Sequence, residues 1–264
     1  MKPFLTIVTC LIGMLIAVPC GAYPLDGYAY TGIARVEAYR QAMEGKVRAP
    51  KQPPGALLSI DQVDIRLEAR SDFKIPPPDT DFAAQVKNLL GDEADRYAVA
   101  VLDLSDFEQP RYAEHRSTAR ANPGSVGKIL IAHGLFQALA DVYPHNIDAR
   151  LDILRNTVIT ADEFIQSDHH VVPVWQPGDA RVRYPKIQIG DQASLYTYLD
   201  WMLSASSNAA ASMVLKHLML LVRFGTTYPV SETEAREYEF TYGWDVFGST
   251  DAKEGPRAFK EQRT

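Results

Sequence analysis

The pattern of hydrophobic and polar positions predicts a protein with several helices and a small sheet. The clearest helical pattern begins just after Ser125 and predicts a buried helix of about 15 residues. Its apolar residues include Ile129, Leu130, Leu135, Phe136 and Leu139, several of which lie three to five positions apart. We therefore expect this segment to lie in the core.

A strand and its partner are predicted before this helix. Residues 97–104 form a near-continuous apolar run with β-branched members, which is typical of a strand buried on both faces. The polar stretch 105–109 is short enough for a hairpin connection, so residues 111–116 are the expected partner strand. The pattern therefore predicts an antiparallel hairpin that leads toward Ser125.

Further helices are predicted on both sides of this unit, at 33–43, 81–90, 147–154, 160–165, 194–203 and 209–221. The segment 160–165 opens with Thr-Ala-Asp-Glu, which has the spacing of a capping box. Residues 194–203 place apolar side chains on one helical face, with Asp191 or Ser194 as the cap. Residues 171–184 contain two prolines and a Gly-Asp pair, which indicates a loop.

The composition is that of an ordinary globular protein, with 264 residues, 46% of them hydrophobic and 23% charged. This length suits one large domain or two small ones. The formal net charge of −6 and the lack of a basic cluster do not favour nucleic acid as a partner. We therefore expect no nucleic-acid binding.

The first 22 residues have the three-part layout of a secretory signal peptide. Met1 and Lys2 precede an uncharged apolar run from Phe4 to Val18, and we expect cleavage after Ala22. The run is short for a membrane span and no stop-transfer pattern follows it, so an uncleaved anchor is the lesser alternative. A secreted or periplasmic protein without a membrane span after cleavage is the expectation.

Both cysteines, Cys10 and Cys20, lie inside the predicted leader. The mature chain would therefore contain no thiol and no cysteine metal ligand, and it would not depend on disulfides.

Ser125 and Lys128 are the foremost candidates for chemistry. Residues three apart lie on the same side of a helix, so the Lys128 amine can reach the Ser125 hydroxyl and take its proton. A second Ser-x-x-Lys occurs at Ser71 and Lys74, but the prolines at 76–78 prevent a helix from continuing there. The first pair is therefore the one with a suitable context.

A second polar constellation, Ser204-Ala-Ser-Ser-Asn208, lies at the junction of two predicted helices. Taken alone, such residues usually cap helices. In combination with Ser125 and Lys128, Ser206-Ser207-Asn208 resembles the active-site signature of serine β-lactamases and penicillin-binding proteins, in particular the class A branch. The resemblance covers about residues 95–221, less than half of the chain.

This resemblance implies an α/β fold of the α+β kind, with a helical subdomain and an antiparallel sheet. Ser125 would be the nucleophile, with its backbone N–H in the oxyanion hole, and Lys128 would be its base or proton relay. Ser206 would pass a proton to the leaving nitrogen, and Asn208 would bind the substrate amide. Ser207 replaces the aspartate usual in class A, which removes a charge that helps to hold the local loop. No cofactor is implied.

Two family elements are not found in their expected places. The third motif, Lys-Thr-Gly or Lys-Ser-Gly, normally follows the second by about a hundred residues. Lys253-Glu254-Gly255 comes too early and lacks the central hydroxyl. No glutamate has the spacing of the deacylating base, although four lie in roughly its region, Glu239 being the least unsuitable: Glu232, Glu234, Glu237 and Glu239.

We therefore expect a family member that is incomplete at its C-terminus, the alternative being a divergent relative with a different closing element. Its predicted parts are a signal peptide at 1–22, an N-terminal extension and linker at 23–90, and a β-lactamase-like serine hydrolase domain at 91–264. The expected substrates are β-lactams or peptidoglycan peptides. The alternative function is a non-catalytic cell-wall binding or scaffold protein, and the oligomeric state stays open.

A metal site is not expected. Asp168, His169 and His170 could coordinate a cation, but adjacent histidines in a loop generally point apart. No helical His-x-x-x-His accompanies them.

Overall fold

The computed structural model describes residues 26–52, 58–68, 70–120, 123–165 and 168–238. The predicted signal peptide, Glu239 and the Lys253–Gly255 triplet lie outside these ranges. The described chain is a mixed fold of helices and two small antiparallel sheets.

Helices and strands follow one another in mixed order along the described ranges. The helices are α1 (Tyr28–Thr31), α2 (Ala34–Met43), α3 (Thr80–Leu90), α4 (Lys128–Val142), α5 (Ile147–Asn156), α6 (Leu195–Ser204) and α7 (Asn208–Phe224). The strands are β1 (Val99–Asp103), β2 (Arg111–His115), β3 (Val158–Thr160) and β4 (Gln192–Ser194). Short 3-10 turns lie at Ile60–Gln62, Gly91–Arg96, Gly124–Gly127 and Gly225–Thr227.

The main core lies where α4, α6 and α7 pack against one another. Its fully buried side chains are apolar residues spaced along these helices, including Leu135, Leu139, Leu195, Tyr198, Met202, Met213, Val214 and Leu221. Gly134 on α4 allows the close approach of α7, because a Cβ there would lie 3.2 Å from a Leu218 methyl. Each large apolar side chain buried in this way contributes about 1.5–3 kcal/mol.

The helix predicted after Ser125 is confirmed, but its predicted burial is wrong for one face. Leu135 and Leu139 are buried, whereas Ile129 and Leu130 are 60% and 72% exposed. The cause is that apolar residues surround most of this helix, while α6 and α7 cover a single side. Periodicity identified the helix but overstated how much of it lies in the core.

The predicted hairpin is present, with β1 antiparallel to β2 and Val101 opposite Ala113. The expectation that the first strand is buried on both faces is wrong, because the residues of β1 are half-buried or exposed. The helix α3 packs against β2. Its cap residue Asp79 accepts from the Phe82 N–H at 2.8 Å and from Arg111 Nε at 2.8 Å.

The helix predicted at 160–165 is absent, and residues 158–160 instead form β3, which pairs with β4. The Asp162 carboxylate accepts from the Phe164 N–H at 2.9 Å and from Lys216 Nζ on α7 at 2.5 Å. Thr160, the expected cap of that helix, instead lies in β3 opposite Gln192. By contrast, the predicted cap of α6 is confirmed, because Ser194 Oγ accepts from the Thr197 N–H at 3.2 Å.

A buried ion pair joins α2 to α6. Arg35 donates to both carboxylate oxygens of Asp200 at 2.5 Å, and the two side chains are 7% and 1% exposed. A small apolar cluster of α2 and the loops at 47 and 175–182 lies beside it, formed by Ala38, Tyr39, Val47, Trp175 and Val182. The ion pair and the apolar cluster therefore both connect the predicted N-terminal extension with the predicted hydrolase domain.

By length and composition alone, the segment Asn208–Thr227 is long and apolar enough to cross a membrane. It includes α7, which packs against α4 and α6 and carries the buried Lys216. The apolar face of α7 is therefore occupied by the core.

We predict that Arg35→Ala lowers the free energy of unfolding by about 3–5 kcal/mol, because it leaves the buried Asp200 carboxylate without its cation. Urea unfolding measures this change. The matched control is Arg40→Ala on the same helix, whose side chain is 43% exposed and pairs with Glu37. We expect the control to change stability by less than about 1 kcal/mol, and equal effects of the two variants would contradict the prediction.

We also predict that the protein loses stability as the pH falls from 6.5 to 4. Burial and, to a smaller extent, the Lys216 ammonium lower the pKa of His217 to about 4, although Asp162 opposes the shift. The unfolded chain takes up this proton near pH 6.5 and the folded protein does not, so stability falls by about 2–3 kcal/mol over this range.

Urea unfolding at pH 7 and pH 4 tests this expectation. His217→Gln should remove that part of the pH dependence, while His145→Gln, at an exposed histidine, should keep it. The same pH dependence in both variants would show that His217 is not responsible.

Candidate active site

Ser125 lies in the 3-10 turn Gly124–Gly127, directly before Lys128 begins α4. Gly124 has a φ of +54°, a left-handed conformation that glycine adopts without strain. The serine therefore lies three residues before the first residue of α4, and it is exposed. Lys128 Nζ still lies 3.1 Å from Ser125 Oγ, so the predicted contact is present.

Ser206 and Asn208 reach the same lysine from the turn between α6 and α7. Ser206 has a φ of +57°, a conformation that costs a residue with a side chain about 1–3 kcal/mol. In this conformation its carbonyl oxygen lies 2.5 Å and its hydroxyl 3.3 Å from Lys128 Nζ. Asn208 Oδ1 lies 2.7 Å from the same atom. The structure therefore brings all four predicted site residues together.

As an ammonium, Lys128 Nζ can donate to Ser125 Oγ, the Ser206 carbonyl and Asn208 Oδ1, and the last two oxygens also suit a neutral amine. The Ser206 carbonyl and Asn208 Oδ1 can accept hydrogen bonds but cannot donate them. A neutral amine has two N–H donors for these two oxygens and one lone pair, which can accept from the Ser125 hydroxyl. The arrangement can therefore remove the proton of Ser125.

Burial lowers the pKa of Lys128, and the nearby Asp168 carboxylate partly opposes this effect. The lysine is only 8% exposed, so the charged ammonium loses much of its hydration. A larger fraction of Lys128 is therefore neutral at a given pH than for a lysine in water.

Asp168 also belongs to the site, although the sequence offered it only as a possible metal ligand. Its Oδ2 accepts from Ser207 Oγ at 2.8 Å, from the Asn208 N–H at 2.6 Å and from the Ala209 N–H at 3.0 Å. Its Oδ1 accepts from the His170 N–H at 3.0 Å. Burial opposes ionisation, but these hydrogen bonds hold the pKa of Asp168 well below its ordinary value. The carboxylate is therefore charged, at the positive end of α7.

Ser207 is the N-cap of α7. This agrees with the expectation that hydroxyl residues at a junction of two helices are caps. Ser207 Oγ accepts from the Ala210 N–H at 3.1 Å and donates to Asp168 Oδ2. Ser207 is thus in contact with an aspartate from another loop. No fixed spacing links Asp168 to this turn, so no motif signals it.

The side chains of Asp168, His169 and His170 place one ligand atom each within 4.8 Å of one another. The expectation that the two histidines point apart is wrong, since their ring centroids are 4.1 Å apart with a tilt of 32°. The carboxylate oxygens are engaged, Oδ1 by the N–H and Nδ1 of His170 and Oδ2 by three donors at the start of α7. A cation would have to displace these donors.

The glutamates considered for deacylation have other partners where they are described. Glu232 pairs with Arg236 at 2.7 Å, and Glu234 accepts from Ser231 Oγ at 2.6 Å. A cavity of about 270 Å³ lies beside this segment, with Asp162, Lys216 and His217 in its lining. The four predicted site residues do not line it.

No family model matches this chain, and no curated protein or solved structure matches it either. The assignment of roles therefore depends on the sequence signature and on the geometry at Lys128.

We predict that Ser207→Asp destabilises the protein by about 2 kcal/mol or more, because it places a second carboxylate against Asp168 in a buried position. Ser207→Ala should cost only about 1 kcal/mol, the usual loss for a helix cap. Combining Ser207→Asp with Asp168→Ser should recover stability, since a single carboxylate then remains. Urea unfolding of the three variants tests this, and a Ser207→Asp variant as stable as the wild type would contradict it.

Proposed function

We propose that this chain is a serine hydrolase of the β-lactamase and penicillin-binding protein superfamily, which forms an acyl-enzyme at Ser125. The substrates are β-lactams or peptidoglycan peptides, and the protein acts outside the cytoplasm after its leader is removed. The observation that supports this proposal best is the placement of Lys128 Nζ within 3.3 Å of both the Ser125 and the Ser206 hydroxyls.

The first step is attack by Ser125. The neutral amine of Lys128 takes the hydroxyl proton while Ser125 Oγ forms a bond to the carbonyl carbon of the substrate. The carbonyl oxygen becomes an oxyanion, which backbone N–H groups at the start of a helix can stabilise. Asn208 uses Oδ1 to accept from Lys128, so its Nδ2 is the end that can donate to a substrate carbonyl.

The second step breaks the carbon–nitrogen bond. The proton held by the Lys128 ammonium passes through the Ser206 hydroxyl, 3.3 Å away, to the leaving nitrogen. The amide nitrogen gains a proton, the carbonyl carbon keeps its bond to Ser125 Oγ, and Lys128 becomes neutral again. Water then hydrolyses the ester: the water oxygen bonds to the carbonyl carbon, the bond from that carbon to Ser125 Oγ breaks, and one water proton returns to Ser125.

The fold proposed for the whole domain is the β-lactamase-like arrangement of a helical part and an antiparallel sheet. Two features support it: the hairpin of β1 and β2 precedes Ser125, and the serine turn opens α4, which packs on α6 and α7.

We predict that incubation with benzylpenicillin adds the full mass of one penicillin, because opening the cyclic amide releases no fragment. Mass spectrometry of the intact protein measures the adduct. Ser125→Ala should abolish it, and Lys128→Met should slow its formation by about 10²–10⁴-fold, the usual contribution of a general base.

Ser71→Ala is the matched control, since Ser71 belongs to the second Ser-x-x-Lys of the chain, and it should acylate like the wild type. A wild-type protein that neither forms an adduct nor hydrolyses benzylpenicillin, or an adduct that persists in Ser125→Ala, would refute the proposed activity. Binding to peptidoglycan without an adduct would favour the non-catalytic cell-wall protein instead.

A further inference from the structure

Asp168 makes more contacts with the α6–α7 turn than a helix cap requires. The hydroxyl of Ser207 already serves the Ala210 N–H as a cap. The carboxylate of Asp168 binds that same hydroxyl and also the N–H groups of Asn208 and Ala209, all through one oxygen. Its side chain is 6% exposed, so these donors replace nearly all of its hydration.

Asn208 contacts both this carboxylate and Lys128, the proposed base. The backbone N–H of Asn208 is held by Asp168 at 2.6 Å, while its side-chain Oδ1 accepts from Lys128 Nζ at 2.7 Å. A change at Asp168 therefore moves Asn208, and with it one of the acceptors that orient the amine.

Asp168 also acts on Lys128 through its charge. The groups that contact Lys128 Nζ from the serine turn and from the α6–α7 turn are uncharged, namely Ser125, Ser206 and Asn208. Within the described ranges, Asp168 is the ionised group that shifts Lys128, and His170 binds its other oxygen. A buried anion near an amine favours the ammonium form, so it works against the effect of burial.

We propose that Asp168 is a positioning residue for the acylation reaction: it holds Asn208 against Lys128 and sets the pH range in which Lys128 can activate Ser125. This inference rests on the proposed function of Ser125 and Lys128.

The variant Asp168→Asn removes the charge of the side chain and keeps its size and shape. Its amide oxygen can still accept from the Asn208 and Ala209 N–H groups, but the negative charge is gone. Without that charge, the ammonium form of Lys128 is less favoured, so the neutral base persists to lower pH. The acid limb of the acylation rate should therefore move to lower pH, by about 0.5 pH unit or more.

The experiment measures the rate of acylation by benzylpenicillin from pH 4 to pH 9, using quenched samples and intact mass. In parallel, the ¹³Cε resonance of Lys128 is titrated by NMR in the full chain, which needs no activity. Ser207→Ala is the matched control, because it removes one hydrogen bond to Asp168 and leaves the charge. In Ser207→Ala, the acid limb of the acylation rate and the NMR titration of Lys128 should both stay as in the wild type.

A shift of both the acid limb and the Lys128 titration in Asp168→Asn, but not in Ser207→Ala, supports the inference. Unchanged profiles in Asp168→Asn overturn it and leave Asp168 with a structural role alone. A wild-type protein that neither forms an adduct nor hydrolyses benzylpenicillin refutes the proposed function, and the NMR titration then still decides whether Asp168 controls Lys128. Should Asp168→Asn fail to fold, Asp168→Ser replaces it, with the same outcomes.

Discussion

The burial of the Lys128 amine is the constraint on which the rest of the site depends. An amine removed from water needs oxygen partners, and the α6–α7 turn supplies two that can only accept. To present its carbonyl, Ser206 takes a left-handed conformation that is unfavourable for a serine. The remaining lone pair of a neutral amine then faces the Ser125 hydroxyl. The need to satisfy a buried lysine and the ability to activate a serine therefore come from the same contacts.

The buried carboxylate of Asp168 supports the turn that contacts Lys128. Asp168 binds the first N–H groups of α7 and the cap residue Ser207, so the turn that contacts Lys128 is held by this carboxylate as well. The helices that carry these groups are joined by an apolar core, which excludes water and strengthens the electrostatic interactions at the site. Packing of α4 against α6 and α7 thus sets both the distances and the strength of the polar contacts.

Part of this architecture could be predicted, and part could not, for definite reasons. The cap of α6 at Ser194 and the helical nature of α4 were predictable, because caps and helical periodicity act over a few neighbouring residues. The segment 160–165 did not follow the same rules, since Thr160, its expected cap, pairs in β3 with Gln192, 32 positions away in the chain. The exposure of Ile129 also escaped prediction, because it depends on which faces of α4 the other helices cover.

The sequence by itself determined the local relations of the site: the three-residue spacing of Ser125 and Lys128 and the turn at Ser206–Asn208 between two helices. The tertiary structure alone decided which distant residues form the buried polar contacts. Asp168 joins Asn208 across 40 positions, and Arg35 joins Asp200 across 165. Contacts over such separations have no periodic signature, because they arise only when the chain folds and buried charges must find partners.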